Sequence, residues 1–138
     1  MKRSVTQRHN YGCGVSCLAF VVNTSYDDVI SKLGQKKADR EGYYCKELVS
    51  FLQKLGLPYT YRYLKPKLRR SIYQEGSIIY IKKSERYPAG HYLVRHRKFW
   101  MDSWINFPNN QEINEAESGF RRRLPGKPIY VIFPSSGR

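Results

Sequence analysis

Residues 7–17, "QRHNYGCGVSC", decide how the rest of the chain is read. Two cysteines four apart, with glycines on both sides of the first, admit three readings. They are half of a metal site, the start of a buried helix, or the nucleophile segment of a cysteine enzyme. The apolar run that follows ends at Asn23-Thr24, and its length predicts a buried helix over about 14–22. Cys13 then stands at the helix start, where free N–H groups and the helix dipole favour a thiolate. Cys17 lies one turn further in, among apolar residues, and reads as core. The flanking glycines let a substrate backbone approach Cys13 closely. Gln7 is a side-chain donor on the segment leading into the helix, and the Cys13 N–H would be its companion at a developing oxyanion.

Working outward, Ser25 reads as an N-cap for a short amphipathic helix, "YDDVISKLG", closed by Gly34. "QKKADREGYY" reads as a polar, exposed connection. A third helix is predicted over about 44–55, because Leu48, Phe51, Leu52 and Leu55 recur at three and four. The period then changes to two around 59–64, and "KLRRSIYQEG" suits a helical turn or two. "SIIYIKK", "GHYLVRH", "FWMDSW" and the later "PIYVIFP" read as strands. A tight turn falls at Arg97-Lys98, and residues between 105 and 126 read as loop with a short helix near Glu115. Helices first and antiparallel strands afterwards mean an α+β fold, N-terminal helices packed on a C-terminal antiparallel sheet. One domain over 1–138 accommodates this, with no internal repeat.

The chain has 138 residues, 41% of them hydrophobic, which is ordinary for a folded protein. No stretch is apolar enough for a membrane span, and the basic N-terminus lacks the apolar region of a secretory signal. A cytoplasmic protein is expected, with export as an effector or toxin left open. The net charge of +14 fits either a plainly solvated surface or an acidic partner: a protein or peptide substrate, or nucleic acid through the basic surface. Twelve tyrosines suit base stacking, but they fall mostly at core or strand positions, and no nucleic-acid-binding motif is visible. Three cysteines, an odd number, argue against a disulfide framework.

A zinc site would need Cys13 and Cys17 to join His91 and His96. Those histidines are five apart on a predicted strand and point to opposite faces, so neither a metal nor any cofactor is expected. A cysteine nucleophile needs an imidazole, and an amide or carboxylate to orient it. With the turn at Arg97-Lys98, His96 pairs with Phe99. Asp102 then falls diagonally from His91, on the same face and within side-chain reach. His91 is therefore the candidate base and Asp102 its orienting group. His9 and His96 read as surface residues, with His9 a reserve base. Trp100 and Trp104 read as core or lid residues, and Cys45 as a structural residue of the third helix.

The pattern Q-x5-C-G-V-x-x-L, formed by Gln7, Cys13, Gly14, Val15 and Leu18, resembles the nucleophile segment of papain-like double-glycine leader peptidases. These enzymes process bacteriocin and peptide-pheromone leaders. "GHYLV" with His91, and "DSW" at Asp102–Trp104, are similar to the family's His and Asp segments. The resemblance runs over roughly residues 5 to 133. It implies a papain-like cysteine peptidase fold and a Cys13–His91–Asp102 triad, with Gln7 as oxyanion donor. Amide or isopeptide cleavage follows from it; deamidation or transamidation on the same triad, and a non-enzymatic nucleic-acid module, are the alternatives. This chain departs from the family at Gly12, where an aspartate is usual, and at Ser103, where a proline is usual. The hairpin between His91 and Asp102 is short, which makes Asn106 the reserve orienting residue.

Overall fold

Helix α1, Cys13–Val22, begins at Gly12 and ends at Asn23, which adopts the left-handed conformation (φ 60°). The protein is described by a computed structural model covering residues 2–135. Every residue from Gly14 to Phe20 is buried, as an apolar run without a polar face requires. Helix α2, Tyr26–Leu33, starts where Ser25 Oγ accepts the Asp28 N–H (3.0 Å). The segment read as a polar connection instead carries helix α3, Gln35–Arg40. Its sole buried residue is Ala38, whose carbonyl accepts the Tyr11 N–H (2.8 Å). One small anchor gives no amphipathic signature, which is why the sequence hides this helix. Helix α4, Cys45–Lys54, buries Leu48, Val49, Phe51 and Leu52, and the Glu47 carboxylate accepts the Tyr44 N–H (2.8 Å). Each fully buried leucine here contributes about 2 kcal/mol through area removed from water.

Six antiparallel strands follow among the described residues: β1 (Tyr59–Tyr63), β2 (Ile78–Ile81), β3 (His91–His96), β4 (Phe99–Asp102), β5 (Gly119–Arg121) and β6 (Pro128–Pro134). Their order across the sheet is β1-β6-β2-β3-β4-β5, so β6 separates β1 from β2. The β3–β4 hairpin has the register read from its turn, with His96 opposite Phe99 and Arg95 opposite Trp100. Strand β5 falls where the sequence reads as loop, because it is only three residues long.

The sheet has a core on each face. On one, α1 packs against β3 and α4 against β1, around Leu18, Leu48, Leu52, Val94 and Met101. On the other, Ile79, Leu93, Trp100 and Val131 are covered by the 3-10 segment Pro66–Tyr73, through Ile72, and by Tyr87. Among the described residues, no helix is long and apolar enough to cross a membrane.

Candidate active site

Cys13 is the first residue of α1, half-buried, at a helix end that no side chain caps and that has no acidic residue in its first turn. The positive end of the helix and its unclaimed N–H groups therefore face the thiol. The Tyr92 N–H donates to Cys13 Sγ (3.4 Å), tying the helix start to β3. Gly12 is here for a steric reason: a Cβ at this position would collide with the Tyr26 hydroxyl, and so would the aspartate usual in the leader peptidases. Cys17 is fully buried, as its position implies. Cys45, expected to be merely structural, also lines the cleft that holds Cys13, with its sulfur 3.7 Å from the Tyr92 hydroxyl. Burial pushes both the Cys17 and Cys45 thiols up.

His91 opens β3, and its ring bonds a carboxylate at one nitrogen. Nε2 lies 2.7 Å from Asp102 Oδ1, and the ring lines the same cleft as the Cys13 thiol. The imidazole is 5% exposed and stacks on Tyr87 at 4.9 Å, which itself stacks on Phe107. Burial alone would lower the His91 pKa. The Asp102 charge and hydrogen bond, joined by Cys13, outweigh burial and raise it to about 10.

Asp102 is completely buried, yet each oxygen is bonded. Oδ1 accepts from His91 and from the Trp104 N–H (3.0 Å), and Oδ2 from Arg121 Nε (2.7 Å). Burial would raise this carboxyl, but the His91 charge and these donors hold it well below the usual carboxylate range. Arg121 is the site residue that the sequence reading missed. It lies on the unforeseen β5, and its other donor, Nη2, reaches the Ile105 carbonyl (3.1 Å). The reserve residue Asn106 does not bond His91. Its amide bonds the Glu115 carbonyl and the Glu117 N–H, closing the loop after β4. The reserve base His9 is also occupied elsewhere, 2.9 Å from the Tyr26 hydroxyl. His96, expected at the surface, is 5% exposed and packs on Phe20 on the opposite face of the strand.

Gln7 is 2% exposed and lines the same cleft as Cys13. Ser103 holds it twice: the Gln7 N–H donates to the Ser103 carbonyl (3.2 Å), and Ser103 Oγ donates to Gln7 Oε1 (2.7 Å). The serine that stands in place of a proline thus positions the glutamine. Gln7 Nε2 donates to the His9 carbonyl (2.9 Å) and, over a longer distance, to that of Asn10 (3.3 Å). The cleft has a volume of about 800 Å³ and brings Gln7, Cys13 and His91 together below a wall made by residues 41–46.

No protein-family model matches the chain. A search of curated proteins likewise finds no match. Among solved structures, the chain is similar to the peptidase domain of Streptococcus ComA, described as a bifunctional ABC transporter involved in a quorum-sensing pathway. The two share 14% sequence identity and superpose with a TM-score of 0.52, over 95% of this chain and 97% of that domain. The α+β fold read from the sequence, helices on an antiparallel sheet, is the fold of a papain-like peptidase domain.

Proposed function

We propose that the chain is a cysteine hydrolase that cleaves an amide bond in a peptide or protein substrate. The reading rests above all on one observation: a buried imidazole bonded to a fully satisfied carboxylate lines one cleft with a thiol at an uncapped helix start. His91 holds the Cys13 proton in an ion pair, and the thiolate sulfur attacks the carbonyl carbon. The oxyanion that forms is held by the Cys13 N–H and by Gln7 Nε2, whose long bond to Asn10 is the one released. His91 then gives its proton to the leaving amine as the carbon–nitrogen bond breaks, leaving a thioester. A water, deprotonated by His91, attacks the thioester, and the acid product and the thiol are released. Asp102, fixed by Arg121 and the Trp104 N–H, sets the tautomer and orientation of the ring throughout. The net charge of +14 favours an acidic substrate.

Alkylation by iodoacetamide at mildly acidic pH tests this reading. Cys13 reacts fast, Cys17 and Cys45 react slowly, and His91→Ala slows Cys13 alone. Equal, slow labelling of all three cysteines overturns it.

A further inference from the structure

Four tyrosines form a row across the sheet, from the nucleophile to the sheet edge. Strand pairing sets Tyr92 opposite Tyr80, Tyr80 opposite Tyr130, and Tyr130 opposite Tyr63. Directly opposed residues of antiparallel strands share a face. The rings follow one another with centroids 4.9, 6.4 and 5.6 Å apart. The inner end is anchored at the site, where the Tyr92 N–H meets Cys13. Tyr80 is tied to the backbone that carries His91: its hydroxyl donates to the Ala89 carbonyl (2.7 Å) and occupies the space a Cβ at Gly90 would need.

Exposure rises outward along the row. Tyr92 is buried, Tyr80 and Tyr130 are half-buried, and Tyr63, on the edge strand, is 57% exposed. A row that served only the core would be covered along its whole length. Of the six large apolar side chains exposed among the described residues, Tyr11, Tyr44 and Tyr61 line the cleft and Tyr63 ends the row. Exposed aromatics gathered at one cleft mark an interaction surface, whereas scattered ones do not. The cleft wall also carries two cations, Lys46 and Lys83, against one carboxylate, Glu41.

We propose that this row is the floor of the substrate track. An extended peptide segment crosses it with bulky apolar side chains on the rings, while its acidic residues reach Lys46 and Lys83. The inference rests on the peptidase reading above and adds the class of sequence that the site selects. Three inter-strand spacings of about 4.8 Å span roughly 14 Å, which an extended chain at about 3.3 Å per residue covers with about four residues. Selection therefore falls within four residues of the scissile bond, on one side of it.

The test uses a library of random dodecapeptides in two arms. The wild-type chain cleaves the library and the cut sites are sequenced; the Cys13→Ala variant captures peptides without turnover. Peptides cleaved and captured should share aromatic or aliphatic residues with Asp or Glu inside that window. Tyr63→Ala and Tyr130→Ala should each lower capture and kcat/KM roughly threefold to tenfold. Tyr73→Ala, an exposed tyrosine stacked on Trp100 over the other face, should change neither. Cleavage without such a preference, or with one that Tyr63→Ala leaves unmoved, overturns the track and leaves the peptidase standing. Capture without cleavage sustains the track and overturns the peptidase reading. Neither capture nor cleavage overturns both. Tyrosine-dependent binding of a fluorescent oligothymidylate, in place of peptides, overturns the assignment to a peptide.

Discussion

Strand β3 carries two histidine–carboxylate pairs five residues apart, and they are alike until their surroundings are compared. His91 lies 2.7 Å from Asp102, and His96 lies 2.6 Å from Glu75; both rings are 5% exposed. The Asp102 side chain is wholly buried and bonded at both oxygens, while that of Glu75 is 56% exposed. The Cys13 thiol lines the cleft beside His91 and helps to raise its pKa. His96 Nε2 has no hydrogen-bond partner among the described residues, and the ring lies against Phe20 and Phe120. An imidazole–carboxylate contact alone therefore does not define a site. What distinguishes His91 is a thiol lining the same cleft and a carboxylate cut off from solvent.

The largest expected difference between the pairs is in rate. His91→Ala should lower peptide cleavage by about 10² to 10⁴, the usual worth of a positioned acid–base group. His96→Gln should leave the rate unchanged, and similar losses in both variants would break the comparison. Stability should separate the carboxylates next. Arg121→Met leaves Asp102 buried with one partner fewer and should cost about 3 kcal/mol in urea unfolding. Glu75→Gln, at a pair whose carboxylate is exposed, should cost less than about 1 kcal/mol.

The third histidine extends the test. His9 bonds Tyr26, whose hydroxyl fills the space over Gly12, so Gly12→Ala should destabilise by about 1–3 kcal/mol. Adding Tyr26→Phe should recover part of that loss; no recovery would mean that the backbone at Gly12, and not the hydroxyl, sets the cost.

The smallest and sharpest effect is in pH dependence. The folded pKa of His91, about 10, lies above its ordinary 6.5, so its stabilisation is fully present below 6.5 and is lost as pH rises through about 10. Glu75 is shifted the other way. Its partial burial works against the shift, but the Arg97 N–H and His96 lower it from 4.5, so its smaller contribution is present above 4.5 and is lost in acid. Melting curves of His91→Gln and Glu75→Gln against pH should therefore converge on the wild type at opposite ends of the scale.

Much of this site could be read from the sequence because its parts are local. The two-residue turn at Arg97-Lys98 fixes the hairpin register, and the register alone brings Asp102 within reach of His91. The break into α1 after Gly12 likewise places Cys13 at a helix start. Arg121 and the tyrosine row could not be read this way. Arg121 depends on a three-residue strand reached across a long loop. The row depends on β6 lying between β1 and β2, a neighbour relation that no local pattern encodes. Alternation within β1, β2 and β6 shows which tyrosines share a face of each strand, but not which strands meet. Helix α3 stayed hidden because its single anchor is an alanine.

The position of β6 also has a kinetic side. Cys13, His91 and Asp102 all precede residue 103, yet β1 joins the sheet only through Pro128–Pro134, nearly seventy positions further along the chain. The α-helices and the β3–β4 hairpin can form from near neighbours in microseconds, whereas closing the sheet must first overcome the entropy of a long loop. A nascent chain thus holds Cys13, His91 and Asp102 well before it holds the strand that joins β1 to β2.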